Sequence, residues 1–397
     1  MEPTQWIWQH PTWPQFRYDV PRIAAAVQRA RLAQARLLSR AEIIGFAELQ
    51  NAHRRIWEAD AIATAAIEGE QLNLDAVRSS VARRLGVAAA PVQASPRPIE
   101  GLLDTMENAI THWDSALTVE RLWLWQADIF RNDNYAALKG IATGRYRRHN
   151  VPMQIVSGPE GRQTIHYEAS PTAAVPAEMR LFIDWFNRTR TDPQAGIDGI
   201  VRAGLAHLWF EIIHPFEDGN GRVGRAIIDL ALAQDAKAPH RLHGVSRQCY
   251  LQHLQYHEAL NVASRSDGEV TAWLLWFIDV FTASCETAVL LIDESMERMR
   301  FWATHHTVAL NARQRKALNK MLEAGAAQFE GGMTARKYVS LTRASPITAT
   351  RDLAELTANG LLVREGEGRA TFYNLAMAGW GWVPVHKTTI KQVDAPQ

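Results

Sequence analysis

The chain has 397 residues, 47% of them apolar and 21% charged, a length that holds two or three domains and a composition that excludes wholesale disorder. Its formal net charge of +1 excludes a global field drawing it to nucleic acid or membrane, so any basic surface is local. The two cysteines, Cys249 and Cys285, sit in no metal-ligand spacing and read as buried small hydrophobes in a reducing compartment. No basic region followed by a long apolar one opens the chain, and no uninterrupted apolar run approaches about 20 residues. Neither a signal peptide nor a spanning helix is expected, and the expected location is the cytoplasm.

Residues 5–20 interleave Trp6, Trp8, Trp13, Phe16 and Tyr18 with Pro11 and Pro14. That composition suits an irregular segment clamped over a helix, or one that docks a target. From Val20 to Ile67 the text is rich in Ala, Leu and Arg at helical spacing and implies at least two helices. The second ends at Thr64-Ala65-Ala66-Ile67-Glu68-Gly69, with glycine as the cap. Residues 86–98 are small and proline-bearing, a linker by composition. Helices are predicted around Ile99–Trp113 and Val119–Arg131. Then Val151–Val156 and Thr164–Glu168 flank a turn at Ser157–Gly161, the one clear β-hairpin of this helical region.

Ile200, Val201, Gly204, Leu205, Leu208, Trp209 and Ile212 form the stripe of a core-facing helix that Pro215 ends. A second helical pattern runs from Val223, so Asp218 to Gly221 make a glycine-rich turn leading into a helix N-terminus. Such a turn aims backbone N–H groups at one anion, and the helix dipole adds positive potential there. Arg222 and Arg225, three apart, offer forked donors suited to phosphate oxygens. The segment is neither a Walker loop, lacking GxxxxGK[ST], nor an EF-hand, which needs carboxylates where Phe216 and Ile227 stand. A plain helix-turn-helix corner leaves the grouping of His214, Asp218, Arg222 and Arg225 unexplained. His207 reads as a structural histidine.

Beyond about residue 305, residues 311–324, 334–342 and 346–359 predict three short helices, followed by a hairpin over 361–373. Three helices and a wing resemble a winged helix-turn-helix module. Ten Lys/Arg against six Asp/Glu between 311 and 375 give a modest excess of +4, compatible with DNA contact or with protein contact.

The run His214-Pro215-Phe216-Glu217-Asp218-Gly219-Asn220-Gly221-Arg222-Val223-Gly224-Arg225 resembles the HPFx(D/E)GNGRxxR signature of Fic domains at every defined position. The resemblance implies a helical fold that binds ATP with Mg²⁺ and moves AMP onto a Tyr, Thr or Ser hydroxyl of a target protein. It implies that His214 is the general base and that Asp218 holds the metal. Gly219, Asn220, Gly221 and Arg222 cradle the α- and β-phosphates, and Arg225 grips the γ-phosphate. Thr64–Gly69 is similar to the (S/T)xxxE(G/N) inhibitory motif of self-restrained relatives, so Glu68 is expected to compete for Arg225. The aromatic opening resembles a small domain found ahead of some Fic domains. The hairpin then becomes a flap that holds a target segment, with His166 and Tyr167 as contacts, and Asn261 becomes a contact to ribose or adenine. Auto-modification and hydrolysis of AMP from a modified target are compatible with the same reading.

The expected fold class is mainly α. It comprises a Fic-type helical core with a β-hairpin flap (96–304), an N-terminal helical regulatory region (1–95), a C-terminal winged helix-turn-helix domain (305–378) and a tail (379–397). The expected partners are a target protein, with a homodimer and a DNA or protein contact through the winged helix left open, and no membrane. The rival reading is a nucleotide-sensing, DNA-binding transcription regulator.

Overall fold

The computed structural model describes residues 5–86, 97–131, 134–157, 162, 164–191, 196–237, 242–325 and 329–380. The proposed linker, the hairpin turn beyond Ser157 and the tail lie almost wholly outside them. The chain divides into two compact units, Met1–Ile292 and Asp293–Gln397. The N-terminal region is therefore part of the first unit, and the division falls earlier than residue 305.

In the first unit a 3-10 turn (Ile7–Gln9) precedes α1 (Val20–Ile43), α2 (Phe46–Ile67), α3 (Leu74–Arg84), α4 (Arg97–Thr111), α5 (Val119–Ile129) and α6 (Asn134–Lys139). Strands β1 (Gln154–Ser157) and β2 (Thr164–Glu168) follow, then α7 (Val175–Thr191), α8 (Gly199–Ile213), α9 (Asn220–Ala236), α10 (Val245–Leu251), α11 (His253–Ser264) and α12 (Thr271–Thr304), whose residues after Ile292 belong to the second unit. The second unit adds α13 (Ala312–Ala324), α14 (Ala335–Thr342), α15 (Pro346–Ala358) and the antiparallel strands β3 (Leu362–Glu365) and β4 (Phe372–Leu375).

The core of the first unit is α8, apolar on nearly every side and buried over almost its whole length. Asp198 caps it, accepting from the Ile200 N–H at 2.8 Å. Gly204 lets α12 approach closely: a Cβ there would lie 2.8 Å from the Phe277 ring, and Trp273 Nε1 donates to the Gly204 carbonyl at 2.9 Å. Against α8 packs α9, which is also in contact with α2, α4 and α5. The junction of α8 and α9 is thus the point on which the unit's helices converge.

The aromatic opening is part of this core. Trp13 and Phe16 meet Trp209 edge-on, Trp6 meets Tyr167, and Trp8 Nε1 donates to the Glu168 carbonyl at 2.7 Å. Arg31 of α1 binds Asp198 and Asp235 together, reaching Asp198 Oδ2 at 2.8 Å and Asp235 Oδ1 at 2.9 Å. That clasp joins the start of α8 to the end of α9.

The expectation that no helix could span a membrane is corrected. Among the described residues α12 is long and apolar enough by length and composition, although acidic residues such as Asp279 and Glu286 interrupt its apolar run. Half of that stretch is buried inside the protein, as Leu274, Phe277, Ile278, Phe281 and Cys285 recur at core spacing. Both cysteines are buried, and burial pushes each thiol up to about 12.

In the second unit three helices and a hairpin appear in the predicted order. Ser345 caps α15 with Pro346 in the first turn, and Gly360 takes positive φ after its end. Leu318, Tyr338, Leu353 and Leu361 are fully buried in its core. Leu353→Ala in the full chain should cost about 2–5 kcal/mol. Thermal unfolding followed by calorimetry checks this, as a fall confined to the transition of that unit.

Candidate active site

The site begins where α8 stops. His214 takes the left-handed conformation, φ 49° and ψ 61°, and closes the helix by donating its N–H to the Phe210 carbonyl at 3.0 Å. A side chain in that region costs roughly 1 kcal/mol, so the surroundings must hold it. Arg147 does so. Its Nε donates to the His214 carbonyl at 2.9 Å, its Nη2 to Ser170 O at 2.5 Å and Ile213 O at 3.4 Å, and its Nη1 to Thr172 Oγ1 at 2.6 Å. Its backbone N–H adds a bond to the Pro215 carbonyl at 2.9 Å. Carbonyls orphaned at the helix end are thereby satisfied by one buried guanidinium.

The turn that follows is braced from two sides. Asn220 binds Phe216 in both directions, its Oδ1 accepting from Phe216 N and its Nδ2 donating to Phe216 O, each at 2.9 Å. Its side chain is thus committed to bracing the turn. Glu217 accepts from Ala142 N at 2.7 Å, and Gln126 bridges Ala142 O and Asp218 O, both at 3.3 Å. Gly219 has φ 87° and opens α9, a conformation favoured only by glycine. Asp218 Oδ1 accepts from Gly219 N at 2.5 Å and lies 3.5 Å from Arg222 Nη2. About a third of the Asp218 side chain is exposed.

Both arginines at the head of α9 are buried and both are held by carboxylates from the end of α2. Arg225 meets Glu68 Oε1 at 2.7 Å, and also donates to Thr64 Oγ1 at 2.6 Å and Thr64 O at 2.9 Å. Arg222 meets Glu70 Oε1 at 2.6 Å and lies over the Phe130 ring at 4.9 Å. Gly221 leaves the room for this: a Cβ there would stand 2.2 Å from Glu68 Oε1. Burial raises the Glu68 carboxyl's pKa, but the Arg225 charge and hydrogen bond outweigh it, and the net direction is down.

His214 is buried beside Glu211, Nδ1 to Oε2 3.8 Å. Burial and the Arg147 charge lower its pKa to about 4, opposed by the Glu211 backbone and the Glu68 charge. Its ring is neutral near pH 7, the state a general base requires. A cavity of about 430 Å³ borders Glu211 and Ile212 of α8 and is also lined by Ile155 and His166 of the hairpin and by Leu254 and Asn261 of α11. Asn261 Oδ1 is buried there with no hydrogen-bond partner.

His166 and Tyr167 both line the cavity. His166 is half-buried there, and Tyr167 is buried, with its hydroxyl donating to the Ile212 carbonyl at 2.5 Å, which anchors the hairpin to α8. His207 is structural as expected, Nε2 2.8 Å from the Tyr256 hydroxyl. Sequence reasoning missed Arg147, Glu70 and Glu211. Only Gly144-Arg145-Tyr146-Arg147-Arg148, a run of arginines behind a glycine turn, carried any signal for the first.

Residues 116–232 match the Fic/DOC family, and residues 6–87 match DUF4172, a domain of unknown function. A probable protein adenylyltransferase of Aquifex aeolicus is 35% identical over 69 residues, 17% of this chain and 20% of that protein. The protein adenylyltransferase fic-1 of Caenorhabditis elegans is 32% identical over 93 residues, 23% of this chain and 16% of that one. The chain thus spans about a fifth of the length of these curated relatives. A Fic family protein from Desulfovibrio desulfuricans shares the fold, with a TM-score of 0.51 at 20% identity over 91% of this chain and 98% of that one.

Glu68→Gln should lower stability at pH 7 by up to about 3 kcal/mol, because Arg225 keeps its charge with a weaker partner. A carboxylate whose pKa is lowered on folding contributes stability above its unfolded value, and that stability is lost as pH falls through the folded one. The difference between parent and variant should therefore shrink below about pH 4.5. Denaturant titration of both proteins at pH 7 and pH 3.5 checks it.

Proposed function

The chain is a Fic domain protein, and from that premise we propose that it is a protein adenylyltransferase, moving AMP from ATP onto a Tyr, Thr or Ser hydroxyl of a target protein. One observation carries the reading. A neutral histidine stands at the mouth of a glycine turn whose two buried arginines are already matched to anionic oxygens. Carboxylates occupy the donors that phosphate oxygens would take.

In the reaction His214 takes the proton of the incoming hydroxyl, whose oxygen forms a bond to the α-phosphorus. The bond from that phosphorus to the bridging oxygen breaks, and pyrophosphate leaves with the electron pair. Proton removal by a positioned base contributes about 10²- to 10⁴-fold. Arg222, the amides of Gly219 to Gly221 and the α9 dipole meet the charge that develops on the transferring group and the leaving group. The adenosine has room in the cavity beside Asn261.

Asp218 fits a magnesium ion, which takes one or two carboxylates and completes its shell with water and phosphate oxygens. Its side chain is partly exposed at the turn, and it would hold the ion there. When bound, Mg²⁺ neutralises charge on the phosphates.

The same reading makes Glu68 a restraint. While it occupies Arg225, the γ-phosphate has no partner there, and ATP binds weakly or with its α-phosphate out of line. The location proposed is the cytoplasm, and a homodimer or a DNA or protein contact through the C-terminal unit extends the proposal.

Incubation with ATP labelled at the α position, beside ATP labelled at γ, tests the activity, with transfer expected from α alone. Glu68→Gly should raise auto-labelling at least about tenfold, the effect of some 1.4 kcal/mol on the barrier. His214→Ala should abolish it with ATP affinity nearly unchanged, and Arg225→Ala should lower it even in the Glu68→Gly protein. Flat labelling across this set overturns the reading.

A further inference from the structure

Glu211 lies one turn before His214 on the buried helix α8, in a place where an apolar side chain would cost nothing to bury. Its Oε2 is 3.8 Å from His214 Nδ1 and its Oε1 is 3.9 Å from His207 Nδ1. Glu211 Oε1 and His214 Nδ1 are both buried and neither has a hydrogen-bond partner within bonding distance, the Glu211 backbone being the other group of that residue that acts on the His214 ring. The His207 ring is committed to Tyr256 through Nε2. The chain also makes room for the carboxyl. A Cβ at position 224 would lie 2.4 Å from Glu211 Oε1, so Gly224 is needed for the glutamate to fit. Buried carboxyls without a partner are expensive, and where they persist they mark a site of chemistry.

We infer that Glu211 is a positioning residue for His214, its carboxylate holding the ring at Nδ1 so that Nε2 is left to take the proton of the incoming hydroxyl. The inference rests on the adenylyl-transfer reading for its step, and on geometry alone for the contact. A neutral imidazole carries one proton, and the partner of one nitrogen decides which nitrogen is free. An acceptor at Nδ1 keeps the proton there and exposes the lone pair of Nε2. When Nε2 takes the hydroxyl proton the ring becomes a cation, and the carboxylate beside it offsets that charge until the proton passes to water. The separation of 3.8 Å exceeds a hydrogen bond, and such contacts tighten once substrate occupies the site.

The groups facing Glu211 are His207 and His214 of its own helix, Arg225 of α9, Glu68 at the end of α2, Tyr167 of β2 and Tyr256 of α11. Burial, with Glu68, raises its pKa to about 8 against the Arg225 charge. A carboxyl raised in this way favours the folded state below its unfolded pKa and loses that contribution as pH climbs to the folded one. An uncharged substitute is therefore no less stable at neutral pH.

The test is Glu211→Gln in the full chain, with the same pair repeated in the Glu68→Gly background. Above about pH 8, label transfer from α-labelled ATP should show kcat reduced at least about tenfold and the KM for ATP within twofold, with the thermal midpoint at pH 7 not lowered. The parent's kcat should rise with pH toward about 8, and the variant should lose that limb. Above about pH 8, where Glu211 is ionised, nitrogen-15 spectra of the histidine rings, with His214 assigned by its absence from His214→Ala, should show an Nδ1-protonated ring in the parent and a mixture in the variant. A kcat within threefold of the parent, or a fall that tracks a lowered thermal midpoint, overturns the inference. If neither protein transfers label, the adenylyl-transfer reading has failed, and the ring spectra alone decide: the same His214 tautomer in both overturns the contact, a changed one upholds it.

Discussion

One buried guanidinium fixes the geometry on which the site depends. Helix α8 has to stop abruptly, with its last carbonyls away from water and a histidine in a conformation that histidines seldom take. Arg147 gathers the carbonyls of Ser170, Ile213 and His214 on a single rigid fork. Charge-assisted bonds of this kind are roughly twice as strong as neutral ones, enough to offset the strain at His214. From that stop follow the direction of the turn, the start of α9 and the placement of Arg222 and Arg225 side by side.

The second determinant is a short stretch after α2 that places alternate acidic residues on alternate arginines. Glu68 goes to Arg225 and Glu70 to Arg222. The two contacts differ in character. Glu68 is about a quarter exposed and Glu70 two-fifths, so the first pair carries more of the electrostatic weight and the second is more readily screened. Thr64 adds a hydroxyl and a carbonyl to the first. Each guanidinium at the head of α9 is thus met by a carboxylate of the protein itself, while Arg222 Nε is buried without a hydrogen-bond partner.

What could be read from the sequence was what is local. Helix boundaries followed from caps and periodicity: Ser345 and Pro346 opened α15, Gly69 closed α2, and the stripe from Ile200 to Ile212 was α8. The twelve-residue run from His214 to Arg225 was legible because a glycine turn and the residues it serves are neighbours in the chain. Arg147 was not, since its partners stand 23 to 67 residues away and an arginine's spacing says nothing of which carbonyls it will meet. Glu211 was hidden by its setting, as a lone glutamate in an apolar helix reads as a surface position. The burial of Tyr167 was not legible because alternation along a strand gives two faces without saying which one is covered, and Trp6 together with the Ile212 carbonyl covers this one.

The double attachment of Arg225 has a consequence for motion. Because Thr64 holds the guanidinium through both its hydroxyl and its backbone carbonyl, the end of α2 stays seated when the Glu68 carboxylate departs. On the reading proposed above, exchanging that carboxylate for another anion would require rotation about the side-chain bonds of one partly exposed residue, and no helix would have to melt or slide for Arg225 to change partners.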